Sequence, residues 1–356
     1  MLARAERERR AERERRISER RFGLLAHERV GDGLRRIALA QLEIAIEALE
    51  PGGSIGSTSQ RVHEARKALK RLRALLRLLR PQLGETAYER DSAVLRDAGR
   101  RLARARDAEV LLGTLDALLK HDGRRLGKRG GVRRLRAQLQ RERDGAAELA
   151  LSDGATRVIA LGELRALRKR VEDWELLDAR GFEAVAPALG ELYGKGRRRM
   201  RRARRAKRDA HGRKLHEWRK RVKDLRYAAE MLQREEAGED TRGGGKSAKR
   251  RAKQARRQVK FIGKLAARAD RLGEVIGDEH DLAVLAERVR AEGKRGEDAV
   301  LGARSRKQLS KAIAKRRRVL RKRALRDGER LYDRRRKKFV ARVRRAMAAD
   351  ASLSRR

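Results

Sequence analysis

The sequence predicts an all-α protein in which two pseudo-symmetric helical bundles pack long antiparallel helices around a central basic groove or cavity. Two observations indicate helices throughout: the 356 residues include only three prolines, and long stretches are rich in Ala, Leu, Arg and Glu. No segment shows the alternation of apolar and polar residues that is typical of a strand. A third observation, an internal repeat, predicts the two bundles.

The helices follow one another along the chain, separated by short segments rich in Pro and Gly. Residues 1–21 alternate Arg and Glu with almost no apolar face, which indicates a solvated helix or a disordered tail. Amphipathic periodicity then predicts ten helices, the last of which allows an internal break. They span residues 23–49, 58–80, 85–119, 132–150, 155–173, 181–208, 211–235, 247–274, 278–292 and 298–346.

The most informative segment is a basic helix that occurs twice. Residues 62–73 read VHEARKALKRLR and residues 215–226 read LHEWRKRVKDLR, so both contain His-Glu-x-Arg-Lys-x-apolar-Lys-x-Leu-Arg. At 100° per residue, each copy places cations on one side and apolar residues on the other. The cationic rows are His63, Arg66, Lys67, Lys70, Arg73 and Arg77 in the first copy, and His216, Arg219, Lys220, Lys223 and Arg226 in the second. The opposite sides, predicted to face the core, are Val62, Leu69, Leu72, Leu76 and Leu79, and Leu215, Val222, Leu225, Ala229 and Leu232.

Like charges stacked along one helix repel each other by a few tenths of a kcal/mol per pair. A row that is repeated in the same register therefore suggests an anionic ligand that offsets the repulsion. The alternative interpretation of any single basic helix is an ordinary solvated face.

A second related segment follows each basic helix. It contains an aspartate, Asp107 in one half and Asp281 in the other, and it ends in Val-Leu. His63 lies 44 positions before Asp107 and His216 lies 65 before Asp281, so the second half carries 65 − 44 = 21 extra residues, placed around 237–258. We expect a tandem duplication with halves at 22–190 and 191–346, flanked by tails at 1–21 and 347–356. That arrangement would place both basic rows around one shared groove.

Composition narrows the class of partner. The chain has 99 Lys and Arg against 51 Asp and Glu, a formal net charge of +48, so a polyanion is the expected partner. Aromatic residues make up 3%, too few for extensive base stacking, which favours recognition of phosphates over bases. The absence of cysteine excludes disulfides, zinc-thiolate sites and a cysteine nucleophile. No apolar run suggests a membrane span or a secretory leader, so we expect a cytoplasmic protein.

Two features carry a resemblance to a known family: the paired motifs that start at His63 and His216, and the Arg-Asp and His-Asp segments that end at Asp107 and Asp281. In both features the chain resembles the CHAD family, the conserved histidine α-helical domain. The resemblance covers residues from about 22 to 345. It implies two pseudo-symmetric helical bundles whose basic helices line a cavity that binds inorganic polyphosphate, with the two rows from His63 to Arg73 and from His216 to Arg226 facing the ligand. The triphosphate-tunnel (CYTH) domain often fused to this family is not expected here.

The roles of several individual residues stay open at this point. His63 and His216 either contact phosphate or are hydrogen-bonded structural residues. If both contact phosphate, binding should tighten below about pH 6.5. Asp107 and Asp281 are expected to cap a helix or to hold an arginine of the rows. Three further cations lie shortly before the second basic helix and are candidates for the same ligand: Arg197, Arg198 and Arg201.

We predict no metal, no cofactor and no catalytic residue. No second His or carboxylate recurs with ligand spacing, and the few carboxylates near the motif are too few to hold catalytic metal ions. The predicted function is non-enzymatic binding of inorganic polyphosphate, with association with polyphosphate granules. The alternative is a nucleic-acid-associated basic protein, and a third hypothesis is a phosphohydrolase. The sequence leaves the oligomeric state open.

Overall fold

The computed structural model of the chain is all-α over the residues that it describes, which are 20–25, 28–51, 57–102, 104–122, 124–152, 154–176, 178–206, 208–234, 246–294 and 299–354. Within these ranges there is no strand, and an isolated β-bridge joins Leu24 to Arg234. A four-residue turn at Arg124–Gly127 and a 3₁₀ segment at Asp178–Ala184 accompany the longer helices. Those are α1 (Val30–Leu49), α2 (Thr58–Leu83), α3 (Glu85–Arg101), α4 (Arg104–Asp122), α5 (Gly130–Ser152), α6 (Gly154–Glu172), α7 (Ala186–Arg205), α8 (Arg208–Met231), α9 (Lys246–Glu292), α10 (Ala303–Leu331) and α11 (Arg336–Ser354).

The predicted first helix was wrong at its start. Residues 22–25 are not helical, and α1 begins at Val30. Leu24 N donates to the carbonyl of Gln233 at 3.1 Å, so this stretch pairs with the chain that follows α8. A side chain at position 23 would meet that same carbonyl at 2.7 Å, so Gly23 permits the close approach. The tail at 1–19 and most of the connection at 235–245 lie outside the described residues.

Two predicted helices are each divided in the structure. The segment predicted at 85–119 ends as α3 at Arg101, and the guanidinium of Arg66 satisfies the free carbonyl of the next residue, Leu102. The segment predicted at 298–346 divides into α10 and α11. There, Arg334 N donates to the Tyr193 hydroxyl at 3.1 Å, and this hydroxyl donates to the Arg334 carbonyl at 3.2 Å.

In contrast, the break predicted between 274 and 278 is absent. Residues 246–292 form one helix, α9, because Gly273 and Gly277 are both buried against neighbouring helices. Tertiary packing thereby outweighs the low helix propensity of glycine, which costs about 1 kcal/mol per residue relative to alanine.

The first basic helix, α2, starts at a well-formed cap. Ser57 N donates to Gln60 Oε1 at 2.7 Å, and Gln60 N donates to the Ser57 hydroxyl at 3.4 Å, which satisfies two otherwise free backbone donors. The helix ends at Gly84, whose φ of 74° lies in the region that favours glycine. Its core side packs against α1 and α3, where Leu69, Leu75 and Leu76 are buried.

The second basic helix, α8, packs between α7 and α9 and also contacts α2. Trp218, which occupies the variable position of the His-Glu-x-Arg-Lys motif, is fully buried, as is Ala65 at the matching position of α2. The indole lies against Gly328 of α10, where a Cβ atom would be 2.5 Å from two ring carbons. Nearby, Tyr193 of α7 stacks on Phe339 of α11 with ring centroids 3.8 Å apart.

The long helix α9 packs against helices from both the early and the late parts of the chain. It packs against α8, α10 and α11, and also against α4 of the first half. A charged contact accompanies this packing, since Arg288 of α9 donates to Glu142 of α5 at 2.5 Å. Residues that lie far apart in the sequence therefore share one hydrophobic core.

The Trp218–Gly328 contact gives a stability prediction. Gly328→Ala would force a methyl group into a rigid buried ring, so we expect a loss of about 1–3 kcal/mol in the free energy of unfolding. The matched control is Gly113→Ala in α4, where nothing lies within 4 Å of the added Cβ and a gain of about 0.5–1 kcal/mol is expected. Urea unfolding followed by circular dichroism measures both changes. Equal effects of the two substitutions would contradict the assigned packing.

Candidate functional site

The two faces of α2 are divided as the periodicity predicts. All five residues predicted to face the core are buried, namely Val62, Leu69, Leu72, Leu76 and Leu79. The cationic row lies outside: His63 is exposed, and the other five members are half-buried. Apolar packing on one side of the helix therefore holds the charged row towards solvent on the other.

Some cations of the α2 row are held by other groups of the protein. Arg66 donates to the Leu102 carbonyl at the end of α3, and Lys67 lies 3.3 Å from Glu64 one turn away. Arg77 donates to Asp224 of α8 at 2.9 Å, so this member of the row connects the two basic helices. Arg77 is thereby positioned by a carboxylate that is almost completely buried.

Arg73 is different, because no carboxylate of the described residues forms an ion pair with it. Burial lowers the pKa of its guanidinium, and repulsion from the Arg77 guanidinium lowers it further. Arg96 of α3 adds to the same repulsion, while Asp224 only partly opposes it. A half-buried cation that other cations surround is a group whose energy a bound anion would lower.

The α8 row is also backed by buried apolar residues, namely Leu215, Val222, Leu225, Ala229 and Leu232. Arg226 is held by two carboxylates, with Glu230 Oε1 2.6 Å from its Nε and Asp270 of α9 on its other side. Lys220 is exposed, and the described part of the chain gives it no ion pair. Lys223 is half-buried on the same side of the helix.

Arg219 occupies a site that α9 forms. Its Nη1 lies 3.9 Å from Asp281 Oδ1, and its guanidinium packs over Gly277, where a Cβ atom would be 2.9 Å from Nη2. The glycine thus leaves the space that the guanidinium fills. Asp107, the counterpart of Asp281 in the first half, lies outside the residues whose side chains the structure describes.

His216 contacts a second imidazole, His280 of α9, with ring centroids 4.3 Å apart and planes inclined by 41°. Burial lowers the pKa of His216 from 6.5 to about 4, and the second ring and two nearby cations add to the effect. Burial also lowers the pKa of His280. Both rings are therefore neutral at pH 7. His216 Nδ1 is buried and has no hydrogen-bond partner within the described residues.

The three candidate arginines on α7 differ in their surroundings. Arg197 Nε donates to the Tyr332 carbonyl at 3.3 Å, which fixes the end of α10. Arg198 is exposed and lies 3.8 Å from Glu191, and Arg201 is exposed. A fourth arginine of this helix, Arg199, donates to Glu217 of the second motif at 2.6 Å.

No site role for His280 was predicted from the sequence, although this residue belongs to the His-Asp segment of the second half, and none was predicted for Gly277. His280 stands where the first half has Arg106, and this difference between the two related segments was the available signal. Gly277 was interpreted as part of a helix break, whereas the structure places it in α9 beneath Arg219.

Two further observations bear on the class of the protein. Among the side chains that the structure describes, no group of three or more His, Asp or Glu has the arrangement of a metal site. None of the described helices is long and apolar enough to cross a membrane.

The all-α fold agrees with comparison with known proteins. The CHAD domain family matches residues 36–256, more than half of the chain, and the protein belongs to this family. The fold is similar to that of the crystal structure of the CHAD domain from the plant Ricinus communis, with a TM-score of 0.51 and 19% sequence identity. That similarity covers 83% of this chain and 89% of the plant chain. No curated protein is significantly similar in sequence.

The low pKa of His216 predicts a dependence of stability on pH. Because the folded-state pKa is about 4 and the ordinary value is 6.5, the unfolded chain takes up the proton first as the pH falls. The contribution to stability is therefore complete above 6.5 and is lost progressively down to about 4. We expect His216→Gln to show a smaller fall in melting temperature across this range than the parent protein.

The control for this prediction is His121→Gln, which removes an exposed imidazole at the end of α4. Melting temperatures are measured in steps of pH by circular dichroism. If the His216 variant loses as much stability on acidification as the parent protein does, the desolvated position of this ring is refuted.

Proposed function

We propose that the protein binds inorganic polyphosphate through the cations of α2 and α8 and that it is not an enzyme. The observation that carries the proposal is Arg73, a half-buried guanidinium that has a lowered pKa and lies beside Arg77 and Arg96. The described residues provide it with no ion-pair partner. A bound anion would lower the energy of this guanidinium, which Asp224 only partly compensates.

The remaining candidates fall into two groups with different roles. Arg77, Arg219 and Arg226 have carboxylates near them, which fix the direction of each guanidinium and leave other N–H groups for phosphate. Lys220 is exposed and supplies a mobile point charge. Guanidinium groups of fixed direction, together with mobile ammonium groups, suit a flexible polyphosphate chain that carries about one negative charge per phosphate.

The repeat supports a ligand shared between the two helices. Most matching positions of the two motifs have the same burial, with Ala65 and Trp218 in the core and Arg73 and Arg226 half-buried on the opposite side. The two histidines differ, because His63 is exposed and His216 is half-buried. The ion pair between Arg77 and Asp224 keeps α2 and α8 in contact. We therefore propose that both rows, together with Arg198 and Arg201 at the end of α7, line one groove, and that the halves arose by duplication.

Polyphosphate is the polyanion that the family favours, because the CHAD family is associated with polyphosphate-related function. The composition points in the same direction, since 3% aromatic residues leave few surfaces for stacking bases. In a cell, we propose a cytoplasmic location at polyphosphate granules, where the protein would cover the polymer and change its access to enzymes.

The state of His216 refines the expected effect of pH on binding. A neutral imidazole still donates one hydrogen bond to phosphate, so the two histidines are not needed as cations near pH 7. The pKa of His216 is lowered to about 4. Protonation of this ring would therefore strengthen binding only at a lower pH than the value of about 6.5 expected from the sequence.

Arg73 gives the test of the proposed site. We expect the double variant Arg73→Gln with Lys220→Gln to weaken polyphosphate binding by about 10- to 100-fold, which corresponds to the loss of about 1.5–3 kcal/mol of charged hydrogen bonds. The melting temperature of the ligand-free variant should stay equal or rise, because repulsion around Arg73 is removed. Isothermal titration with long-chain polyphosphate measures the first effect and thermal unfolding the second.

The matched control is Arg133→Gln with Lys169→Gln, which removes the same charge from exposed positions of α5 and α6. Its polyphosphate affinity should remain within about twofold of that of the parent protein. Equal weakening by both double variants would show that net charge alone retains the polymer. A site variant that loses both affinity and stability would assign Arg73 to the fold.

The absence of catalysis is tested separately. Phosphoanhydride hydrolysis requires carboxylates that converge on metal ions, and described carboxylates near the rows, such as Asp224 and Asp270, are held in ion pairs with arginines. We expect the protein to release no phosphate from polyphosphate or triphosphate with Mg²⁺ or Mn²⁺, as measured by colorimetric phosphate assay. Metal-dependent release that the Arg73 and Lys220 double variant abolishes would overturn this expectation.

A further inference from the structure

Helix α10 carries a second cationic surface, which is separate from α2 and α8. Six exposed residues form a continuous row along it, and we call this row the outer face of α10: Arg304, Lys307, Lys311, Lys315, Arg318 and Lys322. At 100° per residue they occupy an arc of about 80° directly opposite the side that packs into the core. The core side consists of Leu309, Ile313, Leu320 and Ala324, all buried.

The sequence of α10 around the outer face carries a large excess of positive charge. Residues 303–326 contain 12 Lys and Arg and no Asp or Glu. On the inner side of α10, Arg317 and Arg321 share the buried carboxylate of Glu279, at 2.9 and 2.8 Å. The described carboxylates form no comparable ion pair with Lys311, Arg318 or Lys322.

The cations of α10 therefore fall into two groups. The inner arginines belong to the fold, and the cations of the outer face can contact a ligand. The inner arginines are needed to neutralise Glu279, which is 1% exposed, so they are part of the fold. The outer residues make no contribution to the core, and their mutual repulsion costs stability. Such a row is stabilised only when a polyanion lies along it.

The shape of the surface selects the class of polyanion. The row from Arg304 to Lys322 extends over about 27 Å of a straight, convex helix. A thin flexible polyphosphate chain would contact a convex face along one side only and keep most of its oxygens in water. Double-stranded B-DNA has a major groove about 12 Å wide that admits an α-helix, with rows of phosphates on both sides of it.

We propose that the outer face of α10 binds the phosphate backbone of double-stranded DNA without sequence preference. Four of its six members are lysines, which act as point charges on phosphates, and the row contains no Asn or Gln to read adenine edges. Binding is driven by the release of counterions, with a strong dependence on salt. Because the surface lies on a different helix from Arg73 and Lys220, the protein holds polyphosphate and DNA at the same time.

The experiment compares three proteins in fluorescence anisotropy titrations with a labelled DNA duplex of about 20 base pairs, two helical turns. The first is the parent protein, and the second is the triple variant Lys311→Glu, Arg318→Glu and Lys322→Glu. The third is the matched control Arg133→Glu, Arg134→Glu and Lys169→Glu, at exposed positions of α5 and α6. Each triple variant changes the net charge equally, from +48 to 48 − 6 = +42. Circular dichroism checks that all three are folded.

At about 0.15 M salt we expect the α10 variant to bind the duplex at least about tenfold more weakly than the control variant does. The slope of log K against log salt should fall by about 2–3 for the α10 variant, since three phosphate contacts are lost. Its titration with long-chain polyphosphate should stay within about twofold of the parent protein. The Arg73 and Lys220 double variant should show the opposite pattern, with polyphosphate binding lost and duplex binding kept.

Two results would overturn the proposal. Equal weakening of duplex binding by the α10 variant and the control variant would mean that net charge alone attracts DNA. Loss of polyphosphate binding in the α10 variant, with duplex binding kept, would assign the outer face to polyphosphate. Neither result decides whether Arg73 and Lys220 bind polyphosphate, because their own double variant tests that separately.

Discussion

Two helices that each carry a row of cations, α2 and α8, lie against each other, and the carboxylate of Asp224 offsets the repulsion between them. Asp224 is 6% exposed and lies 2.9 Å from Arg77 of α2 and 3.1 Å from Arg221 of its own helix. Loss of this carboxylate would leave two half-buried guanidinium groups without their partner, and breaking a fully buried ion pair in this way costs about 3–5 kcal/mol. The geometry of the candidate site, including the distance between its rows, depends on this one acidic residue.

The same principle recurs wherever the chain buries part of its large positive charge. Glu279 neutralises two arginines of α10, and Asp91, which is fully buried, lies 2.9 Å from both Arg90 and Arg170. Two guanidinium groups thus lie beside each of three buried acids, Asp91, Asp224 and Glu279. Arg73 differs, since it is half-buried beside two other arginines and forms no ion pair with a described carboxylate.

The local features of the fold could be predicted from the sequence, and the long-range ones could not. Periodicity gave both faces of α2 and α8 correctly, because burial of Leu72 or Leu225 depends on spacing within one helix. The contact between His216 and His280 depends instead on how α8 and α9 pack, which no spacing specifies. The break expected near Gly277 failed for a related reason, since packing against Arg219 keeps that glycine helical. The spacing within α2 places Arg77 in the row, but its ion pair with Asp224 joins residues that are 147 positions apart.

The position of α9 has a consequence for the order in which the protein is made. This helix packs on α4, and Arg288 within it pairs with Glu142 of α5, so the first half of the chain is completed by residues from the second. At about 5–20 residues per second, the ribosome needs roughly 5–20 s to proceed from the end of α5 to the start of α9. During that interval the apolar sides of α4 and α5 that α9 later covers are exposed to water. The amino-terminal part of the chain therefore reaches its final packing only when the carboxyl-terminal part has emerged.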